Sequence, residues 1–269
     1  MKITGIITTF NEERNIVDCI KSLEWCDEVL VVDSFSTDKT VELSTGFDNV
    51  RLIQRTYFGS ASQKNWAMDH AKHNWLLILD ADERCSTQMK EEILDILKKP
   101  DYMAYSMIRK TYFLGKVIKF SGWQHDIVTR LVRKNGGRCP NIRSHGGVLA
   151  YGEAPLLLNP LIHFMVDDLN HYFERLKIQG YWGAGQFYID KRKINAFTIV
   201  THTFWRFFRT YIFQLGFLDG GKGLVFCLAQ SYGTFVKYSL CWYWRMNKLR
   251  GIEPVLPEFD KEITNWYKN

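Results

Sequence analysis

The chain has 269 residues, of which 46% are hydrophobic and 24% charged, a globular composition long enough for one large domain or a domain with an appendage. Its six cysteines show no CxxC spacing, which argues against a zinc site or a small disulfide framework and favours a reducing, cytoplasmic compartment. The net charge of +6 comes with no RNA- or DNA-binding motif, so we expect no nucleic-acid partner.

Apolar runs alternate with helical periodicity through about the first hundred residues. The N-terminal stretch MKITGIITTFNEERN lacks a small-residue cleavage site and predicts a first strand, not an export signal. The predicted strands are ITGIITTF, EVLVVDS, VRLIQR and WLLILDAD. Between them, Ile16, Cys19, Ile20 and Leu23 recur at helical spacing, and further helices are predicted in STDKTVELSTGF and SASQKNWAMDHAKH. This order predicts an α/β fold with a mainly parallel sheet, right-handed crossovers and helices on both faces.

Polar clusters follow three of the four predicted strands. The first strand runs into TTFNEE, the second into DSFSTD and the fourth into DADE. The carboxyl ends of parallel strands meet at one edge of a sheet, and ligands bind beyond that edge. The sequence therefore predicts one site built from three distant segments.

The last of these clusters contains two carboxylates, Asp80 and Asp82, separated by one residue. Such a pair can turn toward one hard cation that also holds a diphosphate. The alternative is a solvated turn or a helix N-cap with Glu83 in the first turn. A P-loop is not supported, because neither GxxxxGK[ST] nor GxGxxG occurs.

The motifs TTFNEE, VVDSFSTDKT, SQKNWA and LDADE resemble those of glycosyltransferase family 2, in the order and approximate spacing of that family. Further along, FLGKVIKFSGW, RLVRKNGG and FRTYIFQLGFLDGGKGL resemble the lipopolysaccharide core β-1,4-glucosyltransferase type. The resemblance covers nearly the whole chain. It implies the GT-A fold, which binds nucleotide sugars.

The resemblance also implies roles for individual residues. Thr8, Phe10 and Glu12 would line the uridine pocket, and Asp33 would accept hydrogen bonds from the uracil. Lys64 and Asn65 would approach the nucleotide, with Lys64 offsetting phosphate charge. Asp80 would face the ribose or the metal, and Asp82 would ligate a divalent ion, Mn²⁺ or Mg²⁺, which stabilises the UDP leaving group.

The chain departs from the family at two positions. Phe35 stands where the family usually has glycine, so the turn must form without a residue tolerant of positive φ. Gly146 stands where relatives often have glutamate after a histidine, so either Asp126 is the base or the acceptor site has been altered. Relatives place an aspartate at the position of Asp126, after a Gly-Trp and before a strand, and the resemblance therefore implies that Asp126 is the catalytic base; the alternative is a turn aspartate paired with Arg130 or Arg133. His145 and His163 are each a candidate metal ligand or hydrogen-bond donor to the diphosphate; the alternative is a core histidine with a satisfied side chain.

The C-terminal third is rich in aromatic and basic residues, most clearly in FTIVTHTFWRFFRTYIFQLGFL. Two arginines within this segment argue against a transmembrane helix. Helices that lie at the surface of an anionic membrane fit the composition better. The alternative is that they pack on the catalytic domain or on a second subunit of a homo-oligomer.

These patterns predict a catalytic domain over 1–165, with a nucleotide-sugar half (1–100) and an acceptor half (101–165), then a helical membrane-associating region (166–250) and a tail (251–269). The resemblance implies an inverting, metal-dependent transfer of a hexose from a UDP-sugar to a lipid-linked glycan such as the lipopolysaccharide inner core. Glucose is the first candidate for this hexose. The enzyme would be cytoplasmic and peripheral to the inner membrane. Alternatives are a polyprenyl-phosphate sugar transferase and a catalytically silent membrane-bound interaction protein.

Overall fold

The computed structural model describes residues 1–123, 126–140 and 147–257. The described residues form two compact units. The first contains residues 1–110, 126–140 and 147–164, and the second contains residues 111–123 and 165–257. The part of the predicted tail beyond residue 257 lies outside the described residues, and residues 252–257 form no helix or strand.

The strands in the described part of the chain are, in order, β1 (Ile3–Thr9), β2 (Glu28–Asp33), β3 (Val50–Gln54), β4 (Trp75–Asp80), β5 (Glu83–Arg84), β6 (Ala104–Phe113), β7 (Lys116–Val117), β8 (Ile127–Arg133), β9 (Gly137–Arg138), β10 (Leu149–Ala150) and β11 (Leu161–Val166). The helices are α1 (Ile16–Lys21), α2 (Thr40–Ser44), α3 (Ser60–His70), α4 (Thr87–Ile96), α5 (Leu169–Ile189), α6 (Ala196–Phe208) and α7 (Gly220–Leu249). A π-helical turn, Arg209–Phe213, and a 3₁₀ turn, Gly216–Asp219, separate α6 from α7.

The first four strands form the parallel part of the main sheet, in the order β3-β2-β1-β4. Strands β1, β2 and β4 are buried along almost their whole length, which is why they read as continuous apolar runs. Ile7 belongs to a cluster that includes residues of α1 and α4, whereas Ile6 packs in a second cluster with residues of α3. The predicted helices on both faces of the sheet are therefore confirmed.

The main sheet continues in the order β4-β8-β6-β11-β5, in which β8 pairs antiparallel with β4 and β6, and β11 pairs antiparallel with β5. The predicted mainly parallel sheet is thus correct for four strands, and the complete sheet is mixed. The difference arises because the chain after α4 returns through strands without helical crossovers, which parallel pairing would need. Ser86 caps the N-terminus of helix α4, and its hydroxyl accepts a hydrogen bond from the Met89 amide at 3.2 Å.

The second unit is built around α5, α6 and α7. Its core contains Phe113, Tyr172 and Phe226, whose rings pack edge to face. Trp123 also packs edge to face on Phe226, with ring centroids 5.7 Å apart, as expected for a structural tryptophan. The Asp219 carboxylate accepts hydrogen bonds from the amides of Lys119 and Phe120 at 3.1 and 3.0 Å, and so ties the segment before residue 123 to the start of α7.

No single helix among the described residues is long and apolar enough to cross a membrane. The segments Ala196–Phe213 and Gly216–Leu249, which meet at a bend of 70°, pass the test of length and composition only as a pair.

Candidate functional site

The carboxyl ends of β1, β2 and β4 lie side by side in the first unit. Thr9 is in register with Asp33 on one side, and Thr8 is in register with Asp80 on the other. The Thr8 hydroxyl donates a hydrogen bond to Asp80 Oδ1 at 3.3 Å. The clusters TTFNEE and DADE therefore meet at one edge of the sheet, as predicted, and DSFSTD lies beside TTFNEE.

Asp80 is held by two cations from other elements. Lys64, on α3, places its Nζ 2.7 Å from Asp80 Oδ1, and Arg130, on β8, places its Nη2 2.6 Å from Asp80 Oδ2. Burial would raise the pKa of Asp80, but Arg130 and Lys64 hold that pKa well below its usual value. Asp80 is therefore an anion whose two oxygens are both already ion-paired.

The ion pairs continue away from Asp80 as an alternating chain of charges. Arg130 Nη2 also lies 2.7 Å from Glu83 Oε1, and Arg109 Nη1 lies 3.3 Å from the same oxygen. Arg109 then donates two hydrogen bonds to the Asp126 carboxylate, at 2.7 and 3.0 Å. We call this chain, Lys64, Asp80, Arg130, Glu83, Arg109 and Asp126, the ion network.

The ion network shows what Glu83 and Asp126 contact. Glu83 is fully buried and accepts a hydrogen bond from the Asp80 amide at 3.0 Å, so it is neither a solvated turn residue nor part of an N-cap. The partner of Asp126 is Arg109, not Arg130 or Arg133. The role of Asp126 as the base stays a prediction. Its carboxylate is held in place by Arg109.

Asp82 faces a histidine on the neighbouring strand pair. His163 Nε2, on β11, lies 3.5 Å from Asp82 Oδ2, and both side chains are nearly buried. The Phe164 amide donates to the Asp82 carbonyl at 2.8 Å, which fixes the backbone between them. His145, the other candidate ligand, lies outside the described residues.

These side chains offer a divalent cation a partial set of ligands. Residues 1–123, 126–140 and 147–257 contain no group of three or more histidine, cysteine or acidic side chains arranged to hold a metal. Asp82 and His163 could offer such an ion one oxygen and one nitrogen. Because Mg²⁺ is commonly held by one or two carboxylates together with substrate phosphates, Asp82 is the member of this pair that fits a cation completed by a diphosphate.

The loop after β2 is shaped by Asp33. Its buried carboxylate accepts hydrogen bonds from the Ser36 amide at 2.9 Å and from Gln54 Nε2 at 3.0 Å, and also from the Ser36 hydroxyl. Phe35 adopts φ = 61°, so the turn has the left-handed conformation that glycine would favour. A hydrogen bond from uracil to Asp33 stays a prediction. The hydrogen bonds by which Asp33 holds this loop are present in the structure.

Two exposed aromatic rings mark the loops after β1 and β2. Phe10 is 50% exposed and Phe35 is 52% exposed, in contrast to the buried strands that precede them. Glu12 is held in place, since its amide donates to Thr40 Oγ1 at 2.8 Å and its carboxylate accepts from Asn15 Nδ2 at 2.7 Å. Of the predicted uridine-pocket residues, Phe10 thus presents the most free surface.

The side-chain amide of Asn65 is hydrogen-bonded to the protein backbone. Its Oδ1 accepts a hydrogen bond from the Cys139 amide and its Nδ2 donates to the Cys139 carbonyl, both at 2.9 Å. These bonds hold the segment after β9 against α3. Nucleotide contact by Asn65 stays a prediction, and Lys64 is the member of the predicted pair that reaches the ion network.

Sequence reasoning did not foresee Arg109 in this site, and it named Arg130 as a possible partner of Asp126. The signal was present in both cases, because each arginine lies within an apolar strand, in AYSMIRKTYF and IVTRLVR. A charged side chain inside a strand must meet an opposite charge or reach solvent. The sequence does not reveal which carboxylate it meets.

Comparison with known proteins was made on sequence and on structure. The sequence profile described as "Glycosyl transferase family 2" matches residues 4–153. A lipopolysaccharide core biosynthesis glycosyltransferase, LpsC of Rhizobium meliloti, is 28% identical over 171 residues, which cover 61% of this chain and 63% of that protein. An uncharacterized glycosyltransferase of Rickettsia bellii is 25% identical over 252 residues, 88% of this chain and 84% of that protein.

Two solved structures are similar at a lower level. S. aureus TarS 1–349 in complex with UDP-GlcNAc is 15% identical, with a TM-score of 0.45 over 94% of this chain and 93% of that one. Glucosyl-3-phosphoglycerate synthase from Mycobacterium tuberculosis, in complex with Mn²⁺ and UDP-glucose, is 17% identical, with a TM-score of 0.35 over 41% of this chain and 44% of that one. At these TM-scores neither structure bears on the donor or the metal of this chain.

Proposed function

Because the chain belongs to glycosyl transferase family 2, we propose that it transfers a hexose, with glucose as the first candidate, from a UDP-sugar to a lipid-anchored glycan such as the lipopolysaccharide inner core. The observation that carries the donor half is the meeting of Lys64, Asp80 and Asp82 at the sheet edge. The acceptor half is supported by the likeness to a lipopolysaccharide core biosynthesis enzyme. Glucose rests on sequence resemblance, because hexose choice depends on a few contacts.

The charges around Asp80 explain how an acidic strand end accepts a diphosphate. Two uncompensated aspartates would repel the phosphates of UDP. Lys64 and Arg130 compensate Asp80, and Arg130 keeps its buried Nε without a hydrogen-bond partner among the described residues. We place the diphosphate beside this edge and the uracil against the exposed ring of Phe10.

Asp82 and His163 are the described residues that would hold Mn²⁺ or Mg²⁺ together with the diphosphate oxygens. A bound divalent cation stabilises the charge of the departing UDP. The nearly buried position of Asp82 makes its carboxylate a strong ligand, because it competes with little water.

For the transfer itself we propose an inverting reaction with Asp126 as the base. The acceptor hydroxyl oxygen attacks the anomeric carbon from the face opposite UDP, its proton passes to Asp126, and the bond to UDP breaks. Arg109 holds both oxygens of Asp126, which fixes the carboxylate in one orientation. Positioning of this kind is a large part of what a catalytic site supplies.

Isothermal titration with UDP-, GDP- and CMP-sugars, with and without Mn²⁺ or Mg²⁺, tests the donor proposal. We expect a UDP-sugar to bind and the GDP- and CMP-sugars not to bind. A chelator should raise the Kd of the UDP-sugar about tenfold or more, which corresponds to a loss of about 1.4 kcal/mol in binding free energy. Asp82→Asn keeps the side-chain shape and should abolish the metal dependence, whereas Asp18→Asn, an exposed change on α1, should not. If no nucleotide sugar binds the folded protein, the donor proposal is wrong.

We also propose that the second unit binds the surface of an anionic membrane from the cytoplasmic side. Large apolar side chains stand exposed on α6 and the turns after it: Phe197, Val200, Phe204, Trp205, Phe208, Ile212, Phe213, Phe217 and Leu218. The exposed Arg209 lies among them, whereas Arg206 is partly buried. An apolar face next to a basic side chain is typical of helices that lie in the headgroup region.

Replacing both Phe204 and Trp205 with serine should weaken binding to vesicles of phosphatidylcholine with phosphatidylglycerol by about tenfold or more, since each large apolar side chain contributes about 1.5–3 kcal/mol when buried. Co-sedimentation measures this. The control replaces two exposed residues of the first unit, Tyr151 and Leu158, with serine and should bind as the wild type does. If binding persists and the Phe204 and Trp205 variant instead turns a dimer into a monomer, the face belongs to a second copy of the chain.

A further inference from the structure

Two adjacent side chains of α3 reach the strand ends on either side of β1. Lys64 pairs with Asp80 at the end of β4. Its neighbour Gln63 donates a hydrogen bond from Nε2 to Ser34 Oγ at 3.0 Å, directly after β2. Because neighbouring strands lie about 4.8 Å apart, the ends of β2 and β4 are about 10 Å apart. A nucleotide whose diphosphate lies beside Asp80 can therefore reach Ser34 with its base.

The orientation of the Gln63 side-chain amide is fixed by Arg55. Arg55 Nη1 is only a donor, and it donates to Gln63 Oε1. The Arg55 carbonyl is only an acceptor, and it accepts from Gln63 Nε2 at 3.1 Å. Exchange of the amide oxygen and nitrogen would make both contacts repulsive. Gln63 is 1% exposed, so water has little access to either contact.

The Arg55 side chain is itself held in place by three neighbours. Its Nη2 donates to Ser62 Oγ at 3.0 Å. Its guanidinium carbon lies 5.5 Å from the centroid of the Phe58 ring and 5.6 Å from that of Trp66. Stacking on aromatic rings and a second hydrogen bond both oppose rotation of the guanidinium group away from Gln63.

We call Arg55, Gln63 and Ser34 the hydrogen-bond relay, and it determines what Ser34 offers a ligand. Gln63 Nε2 uses one hydrogen on the Arg55 carbonyl and the other on Ser34 Oγ, so Ser34 accepts from Gln63. The hydroxyl proton of Ser34 meets no acceptor in the part of the chain that the structure describes. Since Ser34 is partly exposed, this proton is available to a ligand.

Ser34 is more accessible than the aspartate that precedes it. The carboxylate of Asp33 is fully buried and accepts hydrogen bonds from three donors. The Ser34 amide donates to the Thr9 carbonyl at 2.9 Å, and the exposed ring of Phe10 follows Thr9 in the chain. The end of β2 thus places a hydroxyl proton near an exposed aromatic ring.

We propose that Ser34 selects the base of the donor nucleotide and that Gln63 is the positioning residue that sets the direction of the Ser34 hydroxyl. This inference rests on the UDP-sugar donor proposed above and adds the contact that distinguishes uracil from cytosine. Uracil carries a carbonyl oxygen where cytosine carries an amine. The carbonyl oxygen satisfies the Ser34 proton, whereas the amine leaves that proton unpaired, which weakens binding.

Isothermal titration of the full chain with UDP and with CDP, in the presence of Mg²⁺, tests this choice of base. We expect the wild type to bind UDP about tenfold or more tightly than CDP. Ser34→Ala should lose most of this preference, because UDP loses its hydrogen bond and CDP has none to lose. Ser34→Thr keeps the hydroxyl and should keep the preference.

Gln63→Glu should change the base preference without touching the nucleotide. The introduced carboxylate has no N–H, so the Ser34 proton turns toward it and the Ser34 lone pairs face the base. The preference for UDP should therefore fall about tenfold or more and move toward CDP. Gln88→Glu, the same substitution at an exposed position on α4, should keep the wild-type preference. Circular dichroism and thermal unfolding check the fold, and the Ser34 variants test the proposal without a change at Gln63.

The results distinguish this inference from the donor proposal. If the wild type prefers UDP and both Ser34→Ala and Gln63→Glu keep that preference, the base is selected elsewhere and this inference alone is wrong. Equal weakening of UDP and CDP binding in the two variants has the same meaning, because a purely structural role does not discriminate between the bases. If the wild type binds neither nucleotide, the donor proposal is wrong and this inference is overturned with it.

Discussion

Replacing Arg130 with methionine should lower the free energy of unfolding by about 3–5 kcal/mol, because it leaves buried carboxylates without their cation. Arg130 Nη2 lies 2.6 Å from Asp80 and 2.7 Å from Glu83, so the change breaks the ion network in its middle. Lys64 still pairs with Asp80, whereas the only cation left beside Glu83 in the ion network is Arg109, at the longer distance. Urea denaturation of both proteins measures the loss.

Arg133→Met is the matched control for this prediction. Arg133 lies on the same strand, β8, with an exposed side chain, and its loss should lower the free energy of unfolding by well under about 1 kcal/mol.

The ion network also predicts how the free energy of unfolding changes with pH. Because the folded-state pKa of Asp80 is lowered, its contribution is complete above the unfolded pKa of about 3.9 and is lost as pH falls further. Equal stability losses in Arg130→Met and Arg133→Met would show that the network adds little.

Asp126→Asn should lower the rate of hexose transfer by about 10²–10⁴-fold, the usual contribution of a general base. The amide keeps the size of the carboxylate but cannot take the proton of the acceptor hydroxyl. Since Asp126 is not expected to touch UDP, the Kd of the UDP-sugar should stay within about twofold of the wild type. The measurements are UDP release with a core-truncated lipopolysaccharide as acceptor, and titration of the donor.

Two further variants decide between a catalytic and a structural Asp126. Asp101→Asn, at an exposed position, should leave both transfer and stability unchanged. Arg109→Gln leaves the Asp126 carboxylate present but without its two hydrogen bonds, and should lower transfer less than Asp126→Asn does. If the Arg109 and Asp126 variants lose transfer equally and both are destabilised, the pair holds the fold and the base lies elsewhere.

The order of strands and helices through β4 could be predicted because burial leaves a local record in the sequence. Strands β1, β2 and β4 lie inside the sheet with apolar neighbours on both faces, so each one reads as an apolar run with polar residues at its end. Each boundary depended on neighbouring residues alone. The match to glycosyl transferase family 2 agrees with the motifs at those strand ends.

The antiparallel half of the sheet was not predicted, because pairing joins residues far apart in the chain. Nothing near Arg109 or Arg130 in the sequence indicates that the two side chains share Glu83. The same holds for His163, which meets Asp82 only because β11 pairs with β5. A buried charge needs a partner, but the partner is chosen by the path of the chain.

The sequence by itself determined the α/β class, the position of the acidic strand end and the basic, aromatic character of the last third. Tertiary structure alone decided that Asp80 is neutralised by Lys64 and Arg130, and that Asn65 serves the backbone at Cys139. The reason is physical: burial and periodicity act along the chain, whereas charge compensation acts through space and depends on every segment that folds nearby.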